Sequence, residues 1–339
     1  MRDVVPRETK MPMQSVRPAS PLPEDFSGDS VAAVAKRLFH ATRPKFFPAS
    51  VLPVLAGSAW GFAAGGAFDF TVFALAMLAT VCVHAGSNVL NDVGDEAGGT
   101  DRRNEDRIYP YTGGSRFIQA GILSSAAMGR LGISLLAIAA IAGLALLALK
   151  GAMVLYFGLA GVVLGVLYSL GPWRLSSMGL GEAAVGIAFG VIPVSGAAWL
   201  QGSALDSTLL IFSLPISAWV AAILLINEVP DIRPDAATGK RTLPVRFGLD
   251  GTALVYAALH LAAVAAVLYL TVSDALPLLA PVVPVALLFM TARSAIAIRR
   301  GIAERDAMRR AIESTLAVHT LGSLWLCACV LYLQWSSAV

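Results

Sequence analysis

The chain has 339 residues, 57% hydrophobic and only 14% charged, with a formal net charge of +3. Soluble domains carry roughly 45–50% apolar and about 25% charged residues, so an ordinary soluble enzyme is excluded and a polytopic membrane protein is expected. The near-balanced charge gives no reason to expect a nucleic-acid partner, and Cys82, Cys327 and Cys329, all inside apolar runs, suggest neither a disulfide framework nor a metal pattern.

In chain order, residues 1–38 come first. They are rich in proline and charge and lack the apolar stretch of a secretory signal peptide. They read as a disordered cytoplasmic arm preceding one membrane domain over 39–339. Nine apolar segments near spanning length then follow, roughly 46–68, 70–89, 131–149, 152–169, 180–200, 209–226, 252–272, 275–292 and 316–333. The expected fold is all-α, with about nine transmembrane helices. Prolines inside the segments, among them Pro53, Pro193 and Pro215, are tolerated in membrane helices better than in soluble ones.

Lys and Arg set the orientation. Of 25, eight precede the first span and sixteen lie in the loops after spans two, four, six and eight; only Lys150 lies on the other side. This places the N-terminus inside, the C-terminus outside and the even loops in the cytoplasm of a cell (inner) membrane.

Two of those loops carry the chemistry. NVLNDVGDEAGGTD, at 88–101, follows the second span and contains Asn91, Asp92, Asp95 and Asp101. NEVPDIRPD, at 227–235, follows the sixth and contains Asn227, Asp231 and Asp235. Asn91 and Asp95 share a helix face, whereas Asp92 points elsewhere. In the second cluster the i, i+4, i+8 spacing is interrupted by Pro230 and Pro234, where a helix kinks or ends. Oxygen donors of this kind suit Mg²⁺, which takes one or two carboxylates together with phosphate oxygens.

A Gly-basic element follows each cluster, TGGSR at 112–116 and TGKRT at 238–242, which gives the two halves a faint parallel repeat. Arg43 and Lys45 open the first span, and Arg107, Arg116, Lys240 and Arg241 lie near the clusters. They fit diphosphate oxygens, although positive-inside topology alone accounts equally well for any single one. Topology gives no reason for paired Asn-x-x-x-Asp motifs.

Several motifs in order resemble the UbiA superfamily of intramembrane prenyltransferases. RPKFFPASVLPVLAGSA at 43–59 resembles the opening helix of the 1,4-dihydroxy-2-naphthoate prenyltransferase branch, and NDVGD at 91–95 resembles the first Asp-rich motif. TGGSRFIQAGILS at 112–124, YSLGPWRLSSMGLGE at 168–182 and DIRPDAATGKRTLPVRFG at 231–248 resemble the segments that follow.

The resemblance implies about nine transmembrane helices around a central cavity with a cytoplasmic cap, and Mg²⁺-dependent transfer of a polyprenyl group from its diphosphate to an aromatic acceptor, 1,4-dihydroxy-2-naphthoate in menaquinone synthesis. It makes Asn91, Asp95, Asn227, Asp231 and Asp235 ligands of the metal or its waters, with Asp92 and Asp101 in support. Arg43, Arg116, Lys240 and Arg241 become diphosphate contacts, and Lys45 and Arg107, basic residues alongside them, are read as diphosphate-binding too. The catalytic set is Asp95, Asp231, Lys240 and Tyr168. Where many relatives carry a third acid, this chain has Gly99, and the acid comes at Asp101.

Tyr168, Trp173 or Phe189 would stabilise a cation-like allylic carbon, and the two former fit an aromatic belt as well. His84 reads as a packed, hydrogen-bonded histidine and Glu182 as a residue favoured by a helix dipole. Other acceptors (4-hydroxybenzoate, homogentisate, a chlorin), a transporter and a non-catalytic lipid-binding relative remain as rivals. The acids at helix ends rather than at the midplane weigh against transport.

Overall fold

The computed structural model describes residues 20–98, 106–169 and 174–338, and every regular element among them is a helix. In chain order the helices are α1 (Val31–Ala41), α2 (Pro48–Gly65), α3 (Phe70–Gly98), α4 (Ser125–Lys150), α5 (Met153–Ser169), α6 (Gly181–Leu200), α7 (Ser207–Asn227), α8 (Ile232–Ala237), α9 (Leu243–Val272), α10 (Val282–Arg300) and α11 (Arg305–Ala338). Asp101, Arg102, Arg103 and Trp173 lie outside the described residues.

Length and composition qualify seven stretches as spans among the described residues, not the expected nine. Helix α5 has only 17 residues. Helices α10 and α11 belong to a single 55-residue stretch, Val282–Ser336, interrupted by the 3-10 turn Gly301–Glu304. They pack against each other, so the chain doubles back there, with Gly301 at φ +61°. Residues 293–310, between the eighth and ninth apolar segments, are therefore helical except at that turn.

Local chemistry fixes the helix ends. Asp206, Ser124 and Ser30 each accept a hydrogen bond from the backbone N–H three residues on, capping α7, α4 and α1. Helix α9 begins with a short turn and bends at Gly248, whose φ of +65° interrupts helical geometry.

Helix α7 is the innermost span and packs on α6, α9 and α11. Leu209, Phe212, Ile216 and Trp219 on α7 meet Val267 and Leu270 of α9 and Val318 and Leu326 of α11 in one buried cluster. Helix α5 is peripheral and buries none of its residues, consistent with a lipid-facing surface. Between apolar helices in lipid, close packing substitutes for the hydrophobic effect, and small residues permit it. Gly57, Gly61 and Gly65 form such a stripe on α2. A Cβ at Gly57 would lie 2.1 Å from the Val194 carbonyl oxygen, and one at Gly61 2.4 Å from that of Ala198.

Residues 20–38, expected in the disordered arm, are folded onto the bundle. Arg37 donates to the Phe26 and Gly28 carbonyls at 3.0 and 2.7 Å, and Lys36 donates to that of Asp25 at 2.7 Å. Phe26 stacks edge-on against Phe117, which is buried with Ala41, Val89 and Met128. The departure has a physical cause: although rich in Pro and charge, the segment has one aromatic anchor and two basic side chains that satisfy its carbonyls.

Candidate active site

The ends of α3, α5 and α7 and the starts of α2, α4, α6, α9 and α11 lie at one end of the bundle, which carries both acidic motifs. Helix α3 continues two turns past the expected end at 89, so Asn91 and Asp95 do share a face. Asn91 Nδ2 donates to Asp95 Oδ2 at 2.8 Å. Asp92 faces the other way and is buried at 2% exposure. Its Oδ2 accepts the Ser115 backbone N–H at 2.9 Å, and its Oδ1 stands 4.0 Å from Arg43. Asp92 thus ties TGGSR to the first motif.

The second motif is not one helix. Helix α7 ends at Asn227, a turn follows, Asp231 occupies the N-cap position of α8, and Asp235 lies within it. Pro230 lies in the turn, where it interrupts the helix as the sequence suggested. TGKRT then folds back: the Lys240 backbone N–H donates to the Asp235 carbonyl at 3.0 Å, and its ammonium lies 3.1 Å from Asp235 Oδ1. Lys240 also feels Asp95 and Asp231. It is therefore within electrostatic range of both motifs, across the space between α3 and α8. Burial lowers the pKa of its ammonium, but the three carboxylates more than compensate, so its proton is held above the ordinary lysine range.

The expected basic residues take different positions. Arg43 and Arg116 both adopt left-handed backbone conformations, φ 60° and 65°, rare for a non-glycine and costing about 1–3 kcal/mol each. Such strain accumulates where function holds a residue in place. Arg43 lies over the Phe46 ring and within electrostatic reach of Asp95. Arg116 is buried. Lys45 is exposed and stands 5.0 Å over the Tyr111 ring. Arg241 is exposed, and its backbone N–H donates to Ser177. Arg107 is turned toward the N-terminal segment, with Nη2 donating to Ser20 Oγ at 2.9 Å.

His84 is packed and hydrogen-bonded, as expected. Its Nδ1 pairs with Ser50 Oγ at 2.6 Å, and its ring meets Phe47 and Phe189 edge-on. Phe189 sits in a π-helical turn, Ile187–Val191, which brings Gly190 against Ser217 of α7. Such turns are frequent at functional sites. Tyr168, on the last turn of α5, lies within electrostatic reach of Asp95, Asp235, Glu182 and Glu228.

Glu182 and Glu228 are the residues that sequence reasoning missed. Glu182 lies in the first turn of α6, as the dipole reading expected, but it is 5% exposed and shares a hydrogen bond with Glu228, itself 9% exposed. Burial, and then Glu182, push the Glu228 carboxyl well above the usual range. The available signal was a glutamate at each of two membrane-helix ends, where a charge needs a partner or a function.

The oxygen-only donor set of Asn91, Asp95, Asn227 and Asp231 fits a hard divalent cation. Asn227 Oδ1 is shut off from solvent and has no hydrogen-bond partner among the described residues. Among the described residues no three His, Cys, Asp or Glu side chains close into a group able to hold a metal. Mg²⁺, which keeps waters and takes phosphate oxygens, does not require such a group.

A family model described as the UbiA prenyltransferase family matches residues 50–335. The chain is 32% identical over 226 residues to 1,4-dihydroxy-2-naphthoate octaprenyltransferase of Haemophilus influenzae, covering 63% of this chain and 70% of that protein. Among solved structures, a UbiA homolog from Aeropyrum pernix K1 superposes with a TM-score of 0.62 at 18% identity, covering 86% of this chain and 98% of that one. A UbiA homolog from Archaeoglobus fulgidus bound to GPP and Mg²⁺ superposes with a TM-score of 0.60 at 16% identity, covering 87% and 99%.

Proposed function

The chain belongs to the UbiA prenyltransferase family, and from that premise we propose that it transfers a polyprenyl group from polyprenyl diphosphate to 1,4-dihydroxy-2-naphthoate, a step of menaquinone synthesis. The carrying observation is Lys240, which lies against Asp235 and within range of Asp95 and Asp231. Residues far apart in sequence thus face one another at a single helix-bundle end. The naphthoate acceptor is supported by the named activity of the relative that is 32% identical.

In this reading Asn91, Asp95, Asn227 and Asp231 hold Mg²⁺ or its waters. The ion, when bound, supplies charge neutralisation and Lewis-acid stabilisation of the leaving pyrophosphate. Lys240, Arg43, Arg116 and Arg241 hold diphosphate oxygens, Lys45 lies at the rim, and Arg107 secures the cap through Ser20. These cations favour the state in which the carbon–oxygen bond has broken, because charge on the departing oxygen then grows. The faces of Tyr168 and Phe189 stabilise the allylic carbon as it becomes cation-like. Asp92 positions TGGSR, and Asp235 orients Lys240. The site opens to the cytoplasm of a cell membrane.

The test incubates membranes containing the protein with radiolabelled geranylgeranyl diphosphate, Mg²⁺ and a panel of aromatic acceptors. A labelled product with dihydroxynaphthoate, lost on chelation, is expected. A product with a different acceptor would overturn the pathway and keep the chemistry. Absence of product with every acceptor would overturn both.

A further inference from the structure

Two buried carboxyl groups have no part in the mechanism above. Glu182 sits in the first turn of α6, and Glu228 directly follows the end of α7. The two share a hydrogen bond and lie within electrostatic range of Tyr168. Each nevertheless keeps one carboxyl oxygen, Glu182 Oε1 and Glu228 Oε2, shut off from solvent and without a hydrogen-bond donor among the described residues. Both residues are more than nine-tenths buried. An unsatisfied buried acceptor is costly, so a partner is expected that arrives with the substrate.

The chemistry narrows that partner. A diphosphate is an anion and would be repelled by two carboxyls beside Asp231 and Asp235. A cation would need both carboxyls ionised, whereas the hydrogen bond they share requires a proton between them. A hydroxyl donor remains. The Tyr168 ring, 3.7 Å from where a Cβ on Gly181 would stand, closes off the first turn of α6 beside the pair. A flat aromatic substrate can present a hydroxyl edge to the carboxyls and a face to Tyr168.

We propose that Glu182 and Glu228 are specificity-determining residues that accept a hydrogen bond from a ring hydroxyl of the aromatic acceptor and set its orientation toward the prenyl carbon. This rests on the prenyl-transfer reading above. It adds where the acceptor binds and which of its groups is recognised. Glu182 is fixed by the packing of α6 on α7, and Glu228 by the turn that leads to Asp231, so the pair links acceptor binding to the second motif.

The test compares wild type with Glu182→Gln and Glu228→Gln, which preserve shape. Steady-state transfer is measured with varied acceptor, varied prenyl diphosphate and varied Mg²⁺, using the acceptor that wild type accepts and its hydroxyl-methylated analogues. The expected result is a rise in KM for the hydroxylated acceptor of roughly 3- to 10-fold, the range for an ordinary hydrogen bond. KM for the diphosphate and the Mg²⁺ dependence stay within about twofold, and with one methylated analogue the variants and wild type converge. A shift in Mg²⁺ dependence or diphosphate KM, or an equal penalty on every analogue, would overturn the assignment while leaving the prenyl-transfer function standing. Loss of thermal stability in both Gln variants with unchanged acceptor KM would assign the pair to the fold and overturn it too. Wild-type inactivity with every hydroxylated acceptor overturns the proposed function and this inference with it.

Discussion

Neighbouring acids in one motif have separate tasks. Asp95 is paired with Asn91 and feels Lys240, whereas Asp92, three residues earlier, is spent on the Ser115 N–H and Arg43. Asp95→Asn and Asp231→Asn are expected to lower kcat at least about 100-fold, comparable to loss of one preorganised electrostatic contact. A transfer assay on folded protein, with thermal melting as control, checks this; retained rate would remove both from the metal site. Asp92→Asn is expected to reduce activity without moving the Mg²⁺ dependence, because its change falls on the TGGSR loop. Lys240 gives a prediction in pH. Its pKa is raised by Asp235, Asp95 and Asp231 against the opposing effect of burial, so its charge survives past the ordinary lysine value of about 10.4. Lys240→Arg should therefore leave the pH–rate profile unchanged between about pH 7 and 9.5, and Lys240→Met should raise the diphosphate KM. An alkaline limb that shifts in the Arg variant would contradict this.

Elements in this molecule are shaped by what they must approach. The glycine stripe of α2 lets two helices meet at a distance no side chain permits: Gly57, Gly61 and Gly65 face Val194, Ala198 and Gln201. Gly57→Val and Gly61→Val should destabilise the protein by several kcal/mol, since overpacking costs about 1–3 kcal/mol even where neighbours can give way, and here they are backbone. Thermal melting in detergent measures it, and a shift of less than a few degrees would mean that α2 and α6 separate easily. The N-terminal segment makes the opposite case, a stretch that looks disordered and is not. With Lys36 and Arg37 bonded to carbonyls of residues 25–28, trypsin should cut after them slowly in the folded protein. Rapid cleavage there would restore the arm reading.

At the scale of the whole molecule, the bundle gathers loops from distant parts of the chain at one end. TGGSR reaches the first motif through Ser115 and Asp92. TGKRT reaches the second through Lys240 and Asp235, and 174–180 is joined to it where Arg246 donates to the Met178 and Arg241 carbonyls, both at 2.8 Å. Opposite this end, Asp69 pairs with Lys150 at 3.7 Å, and its backbone is bonded twice to Gln201, joining the α2–α3 connection to α4 and α6. The distribution of Lys and Arg predicts that the end with the acids is cytoplasmic and that the C-terminus is not. A reporter fused after residue 339 that is active only outside the cytoplasm is the expected result. Activity inside would invert the topology and deny the site its cytoplasmic substrate.

Local and periodic features were legible in the sequence. The membrane class followed from composition, most spans from uninterrupted apolar length, and the Asn91–Asp95 face from helical spacing, because α3 continues unbroken. The Pro230 break was legible for the same reason: proline chemistry acts on its own neighbours. Tertiary structure alone decided what depends on approach between distant segments. It brought Lys240 within reach of both motifs, gave Asp92 the Ser115 N–H as its partner, set Arg107 on Ser20, and joined Glu182 to Glu228. It also folded back residues 20–38 and made α10 and α11 one hairpin. A carboxylate at a helix end reads the same in sequence whether it meets water, a cation or a second carboxylate; only packing puts that partner in place.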